Sequence, residues 1–271
     1  MKNTRCSLAP GRAPLFLAAA LSLLGSALGA QATLKVGLAT EPASLDPQFS
    51  TTGATQQASQ QLFDTIIGRD KNLQPEPSLA LSWTQVDPLT WEIKLRPGVK
   101  FHDGKDFGSA DVVYSVNRIP RLPESPSSYK RNVAAIKDCV AVDPLTVRFT
   151  LKSPSPQFPL DLSFIYVLPR DTPSDATVED FNKGKYVVGT GPFKFVEWVR
   201  GDRLVLERNR GYWGRKPAFD KVIFRPITND PSRVAALLAG DVDIIDQVSP
   251  VDQERLRKDA RISVLSVPAA T

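Results

Sequence analysis

The sequence predicts a mixed α/β protein with a β-rich middle, and three observations carry that reading. Two similar passages, VDPLTWEIKLRP from Val86 and VDPLTVRFTLKSP from Val142, alternate apolar and polar residues strictly. A period of two marks a strand with one face on a core and the other in water. A Gly-Pro pair at 191–192 then introduces a second alternating stretch, and from 219 onward the pattern becomes strand, helix, strand, helix, strand. That last order is the signature of an α/β layer with a largely parallel sheet.

The first residues stand apart from the fold. Lys2, Arg5 and Arg12 make a positive start, an apolar run follows from Ala13 to Leu24, and Ala30-Gln31-Ala32 places small residues at a cleavage position. This is the order of a secretory signal peptide over 1–32, cleaved after Ala32. An uncleaved anchor is the alternative, but the apolar run is shorter than the roughly 20 residues a span needs. Losing three basic residues and no acids lowers the formal charge from +5 to +2, so the whole-chain pI near 9.2 overstates the basicity of the mature protein. The chain has no Lys/Arg block, which argues against nucleic acid and anionic membrane as partners. Of two cysteines only Cys139 follows the leader, leaving neither an internal disulfide nor a cysteine metal cluster.

The elements follow in order. TLKVGLAT (33–40) alternates as a strand, and EPASLDPQFSTTG is too rich in Pro, Ser and Gly for helix or strand. ATQQASQQLFDTII sets Ala58, Leu62 and Ile66 four apart with Phe63 and Ile67 beside them, which predicts one apolar helix face closed by Asp70 and Asn72. In the two VDPLT passages Trp91, Ile93 and Leu95, and then Val147, Phe149 and Leu151, take the core side of a half-solvated antiparallel sheet, each strand opened by an Asp-Pro turn. Duplication would explain the likeness; convergence on one hairpin solution is the simpler explanation.

His102, the only histidine, sits in FHDGKDF (101–107). Asp103-Gly104 between apolar residues predicts a tight turn with positive φ at both central positions. A metal or general-base site needs convergent partners, and none stands at useful spacing, so His102 reads as structural. GSADVVYSVNRI next predicts a helix with Ser109 as N-cap and Asp111 in its first turn, ended by Pro120.

GTGPFKFVEWVRGDRLVLERN (189–209) predicts a hairpin turning at Arg200-Gly201-Asp202. A phosphate cradle at Gly-Thr-Gly is rejected, because a strand follows and Pro192 stands where a helix N-terminus would be needed. FDKVIFRPI (219–227) reads as a strand, and Asp230-Pro231 opens a helix that Gly240 ends. VDIID (242–246) is a short strand, Ser249-Pro250 opens another helix, and ISVLSV (262–267) reads as a final strand.

Several passages together resemble one family. SLDP (44–47), SLALSW (78–83), LRPGVKFHDGKDFGSADVVYSVNR (95–118), GTGPFKF (189–195), LERNRGYWGRKPAFDKVIF (206–224) and AALLAGDVDI (235–244) are similar, in that order, to the family-5 extracellular solute-binding proteins of ABC transporters. The resemblance implies a periplasmic-binding-protein type II-like fold, with an α/β part of the first lobe at 33–62 and 166–271 and a smaller β-rich part at 63–165. It implies a periplasmic protein, monomeric, that captures a small solute, by default a peptide, for an inner-membrane permease and its ATPases, with no cofactor, no metal and no catalysis. Members of that family are about twice as long, so the second lobe is expected to be absent here, and with it the groups that fix peptide termini. By position, Ser50, Thr51 and Thr52 match a loop that offers hydrogen bonds to an extended ligand, and Tyr129 and Ser163 fall where related binders line the cleft. A fragment of a split gene is the first alternative. An exported hydrolase is the second; against it stand the single histidine and the lack of a Gly-x-Ser-x-Gly nucleophile elbow.

Overall fold

The computed structural model describes residues 32–266 except 124 and 126. The leader therefore lies outside the described residues apart from Ala32. The described chain is built on two sheets that share one continuous apolar core.

The larger sheet begins with β1 (Thr33–Leu38), which leads through a long loop to α1 (Gly53–Leu62). It is completed by β8 (Phe193–Val199), β9 (Arg203–Arg208), β10 (Lys221–Pro226) and β11 (Ile244–Ile245), in the order β11-β1-β10-β9-β8. β1 runs parallel to β10 and to β11, whereas β10-β9 and β9-β8 are antiparallel. The sheet is thus mixed rather than largely parallel, because the 193–208 hairpin joins it through a tight turn at Gly201 (φ 75°). α6 (Asp230–Ala239) connects β10 to β11 and α7 (Pro250–Arg257) follows. Ser249 accepts the Asp252 N–H and Gly240 closes α6 at φ 78°, as expected; the N-cap of α6 is Asn229, one residue before the expected Asp230-Pro231 opening, and it accepts the Ser232 N–H. Such caps stabilise a helix by about 1 kcal/mol each.

The smaller sheet has β4 (Ala80–Asp87), β5 (Thr90–Leu95), β6 (Ile136–Asp143) and β7 (Thr146–Leu151), ordered β4-β5-β7-β6 and antiparallel throughout. The two VDPLT hairpins pair through their second strands, Trp91 against Phe149 and Ile93 against Val147. Each hairpin carries register shifts at matching places, 80–82 and 85–87 in one, 136–138 and 141–143 in the other. The Leu95 N–H reaches the Leu145 carbonyl and the Leu151 N–H reaches the Leu89 carbonyl, both at 2.8 Å. All six predicted inward residues of β5 and β7 are buried. Each contributes about 1.5–3 kcal/mol by leaving water. A two-stranded ribbon of β2 (Gly68–Arg69) and β3 (Pro75–Glu76), and the short helices α3 (Lys130–Val133), α4 (Phe158–Leu162) and α5 (Val178–Asn182), fill the connections; α2 (Ser109–Arg118) packs on the smaller sheet.

Four further expectations are corrected. The helix predicted through Ile67 stops at Leu62; Phe63 is extended, and Ile66 and Ile67 are buried in irregular chain that bonds to Ile165 and Ala80. Burial fixed their apolar character, and the four-residue spacing was coincidental. The N-cap of α2 is Gly108 rather than Ser109, since the Asp111 carboxylate reaches back to the Gly108 N–H at 2.8 Å and the Ser109 hydroxyl bonds Asp143. At the Asp-Gly turn only Gly104 has positive φ. Finally, 262–266 forms no strand, and of 242–246 only Ile244–Ile245 pairs.

Candidate functional site

Parallel strands end together, and β1, β10 and β11 bring their carboxyl ends to one edge of the larger sheet. In open α/β sheets such an edge is where loops from separate strands leave a crevice for a ligand. Three loops meet there: 39–52 after β1, 227–229 after β10 and 246–249 after β11. The Ile227 N–H donates to the Leu38 carbonyl at 2.8 Å, and the Asp246 carboxylate accepts the Ala39 N–H at 2.7 Å. Arg233, buried in α6, donates to the carbonyls of Ile227, Asp246 and Gln247 and pairs with Asp230. A guanidinium spent on three carbonyls fixes the two later loops to one helix. Gln247, at φ 49°, takes a left-handed conformation within this knot.

The long loop after β1 is locked from beneath. Asp46 and Arg118 form a buried ion pair at 2.7 Å, with side-chain exposures of 0% and 5%. The pair is bidentate, and Arg118 also donates to Gln48, whose amide donates to the carbonyls of Ser115 and Tyr166. Asn182 accepts from the Ser44 hydroxyl and the Leu45 N–H. The SLDPQ stretch is therefore rigid before it reaches the predicted binding residues.

Those residues divide into two groups. Ser50 is buried, with its hydroxyl among Thr52 atoms; Thr51 is half-buried; Thr52 is exposed and is the N-cap of α1 without making a side-chain cap. The Thr51 N–H donates to the Ser127 carbonyl at 2.8 Å and the two hydroxyls touch, so the structure joins the 50–52 loop to the segment carrying Tyr129. Tyr129 itself is 1% exposed, edge-on to Tyr166, and its hydroxyl has no hydrogen-bond partner among the described residues. Burial pushes its phenol well above the usual range. Ser163 is equally buried and gives its hydroxyl to the Leu160 carbonyl at 2.7 Å. Tyr129 and Ser163 thus lie beneath the surface, while Thr51 and Thr52 reach it.

His102 is a clip between chain segments. Its Nδ1 accepts the Gly189 N–H at 3.2 Å, which places the ring proton on Nε2, 3.1 Å from the Gly191 carbonyl. Burial, chiefly, lowers its pKa to about 4. Both ring nitrogens are occupied, so His102 has no free lone pair with which to activate a nucleophile. Gly-Thr-Gly is a packing motif: a Cβ on Gly189 would stand 2.0 Å from the Leu62 carbonyl oxygen and one on Gly191 2.5 Å from the Leu62 carbonyl carbon.

Sequence reasoning missed three anchors. Asp64 accepts hydrogen bonds from Thr190, Tyr212 and Trp213 at 2.8–3.0 Å, and burial raises its pKa against them. Asp246 and Arg233 are the other two. Only the LFD and GYW passages hinted at Asp64; the loop knot at Arg233 needs the topology to be seen. Among the described residues no group of three His, Cys, Asp or Glu side chains could hold a metal ion, and no helix is long and apolar enough to cross a membrane.

Residues 74–271 match the family described as bacterial extracellular solute-binding proteins, family 5 Middle. The chain is 31% identical over 231 residues to the glutathione-binding protein GsiB of Pectobacterium atrosepticum, covering 83% of this chain and 44% of that protein. It superposes with a TM-score of 0.74 and 29% identity on the periplasmic binding protein DppA from Helicobacter pylori in complex with the peptide STSA, covering 85% and 50%. With NikZ from Campylobacter jejuni in complex with Ni(L-His) the TM-score is 0.73 at 26% identity, covering 84% and 45%. The chain spans about half the length of the curated relatives it matches. With a family match over most of its length, on a fold its neighbours share, this chain belongs to the family-5 bacterial extracellular solute-binding proteins.

Proposed function

We propose that this chain supplies one wall of a cleft that captures a small solute, by default a peptide, in the periplasm for an inner-membrane ABC permease and its ATPases. In this reading 1–32 is a cleaved leader, 33–62 and 166–271 form the α/β part of a first lobe, 63–165 forms its smaller β-rich part, and the protein is a monomer. The relatives bind glutathione, a peptide and a nickel–histidine complex, which supports capture of small amino-acid-derived solutes. One observation carries the reading: three loops are fastened together at the carboxyl ends of β1, β10 and β11, beside a surface strip of Thr51 and Thr52. Such an edge offers backbone amides and hydroxyls, groups that hold a peptide without attacking it. The Ser249 hydroxyl at that edge meets the Asp252 carboxylate at 2.7 Å as the cap of α7, and the single histidine is held elsewhere by Gly189 and Gly191, which favours binding over hydrolysis.

Well-formed sites enclose about 70–90% of a ligand. A single sheet edge offers far less, so the chain alone binds weakly. Amide hydrogen exchange in the presence of excess glutathione or a tripeptide tests the location. Added protection in 39–52 and 246–249 is the expected result; protection confined to the smaller sheet, or hydrolysis of the peptide, overturns the proposal.

A further inference from the structure

A second site stands apart from the loop edge, at the seam where the 100–104 loop meets the start of β8 and the end of β9. It is an open groove of about 400 Å³ whose rim carries Lys100, Lys194, Arg208 and Arg210 against one carboxylate, Glu207. Two of the cations are neutralised: Lys100 by Asp106 at 2.7 Å and Arg208 by Asp220 at 2.5 Å. Arg210 is exposed and has no ion-pair partner among the described residues, and Lys194 bonds only the His102 carbonyl, at 2.9 Å. The floor has few acceptors to spare. His102 Nδ1 is taken by the Gly189 N–H, and Asn209 Oδ1 is taken by the Gly211 N–H. Arg208 Nε, buried beside the groove, lacks an acceptor. Glu207 makes no ion pair among the described residues, although Lys194 and Lys221 are its cross-strand neighbours.

Unspent donors on two cations, over a floor whose acceptors are occupied, make a site for an oxyanion with several acceptor oxygens. We propose that this groove binds a free dianionic oxyanion of the phosphate type, held by Lys194 and Arg210 and opposed by Glu207. The site is independent of solute capture at the loop edge.

The single histidine makes the test direct, because the untagged chain gives one imidazole signal, from the groove floor. Inorganic phosphate is titrated at pH 7 and constant ionic strength while that signal is followed by NMR, with chloride in a parallel series. A saturable shift with phosphate and none with chloride is expected. Arg210→Gln, an exposed change, weakens the apparent affinity roughly tenfold, the usual scale for one charge-assisted hydrogen bond. Glu207→Gln tightens it, which a structural role for either residue would not produce. An unshifted imidazole signal in both variants before titration shows that the fold is intact. Equal, unsaturable responses to phosphate and chloride, or variants indistinguishable from the parent, overturn the proposal.

Discussion

Removing the charge of Asp46 tests how the long loop after β1 is held. In Asp46→Asn one oxygen survives to accept from the Gln48 N–H, but an amide NH2 then faces a donor of Arg118 where an ion pair stood at 2.7 Å. The guanidinium stays buried, 5% exposed, with its positive charge uncompensated. Breaking such a pair from one side costs about 3–5 kcal/mol. With a urea slope of about 2–3 kcal/mol/M for a domain of this size, the unfolding midpoint falls by roughly 1–2.5 M. The double variant Asp46→Leu with Arg118→Met removes both charges, so it loses less than the single variant although it removes more hydrogen bonds. Urea unfolding followed by tryptophan fluorescence measures all three proteins. A single variant within about 0.5 kcal/mol of the parent, or a double variant worse than the single, would mean that the buried charge of Arg118 does not depend on Asp46.

His102 gives a pH signature. Its folded pKa, about 4, lies below the ordinary value of 6.5, so its contribution is complete above the ordinary value and is lost as pH falls toward 4. The loss reaches about 3 kcal/mol and is absent in His102→Gln, so comparing urea midpoints of the two proteins at pH 7 and pH 4.5 isolates it. Gly191→Ala forces a Cβ to within 2.5 Å of the Leu62 backbone and costs about 3 kcal/mol, read as a lowered thermal midpoint; a neutral outcome would mean that the loop can retreat. Thr52→Asp places an acceptor and a negative charge at an N-terminus that has no side-chain cap and no acidic residue in its first turn, so calorimetric stability rises by about 0.5–1 kcal/mol.

Local patterns carried much of this structure and topology carried the rest. Trp91, Ile93 and Leu95 could be placed on a core face because period two is a property of neighbouring residues, and the close of α6 at Gly240 and the opening of α7 at Ser249 belong to the same class. Ile66 and Ile67 misled because an apolar residue records burial, not backbone conformation, and long-range bonds to Ile165 and Ala80 decided the conformation. The stretch 262–266 alternates like a strand but pairs with nothing among the described residues, and a strand exists only through its partner. At the candidate site, the reach of Thr51 to Ser127 joined two regions that position alone had suggested separately. The loop knot made by Arg233 and Asp246 was invisible, because its partners are backbone carbonyls and amides that every residue carries. Asp64 was hidden for a different reason: its three partners are side chains more than a hundred residues away, and only the topology brings them to it.

In the function proposed above, these residues hold a solute from one side and leave it chemically unchanged. Titration calorimetry of the chain with glutathione and a mixed di- to tetrapeptide library, followed by mass analysis of the recovered ligands, tests it most directly. Intact ligands and affinities no better than about 0.1 mM are expected. Submicromolar binding by this chain alone, or cleaved peptide in the recovered mixture, would contradict it.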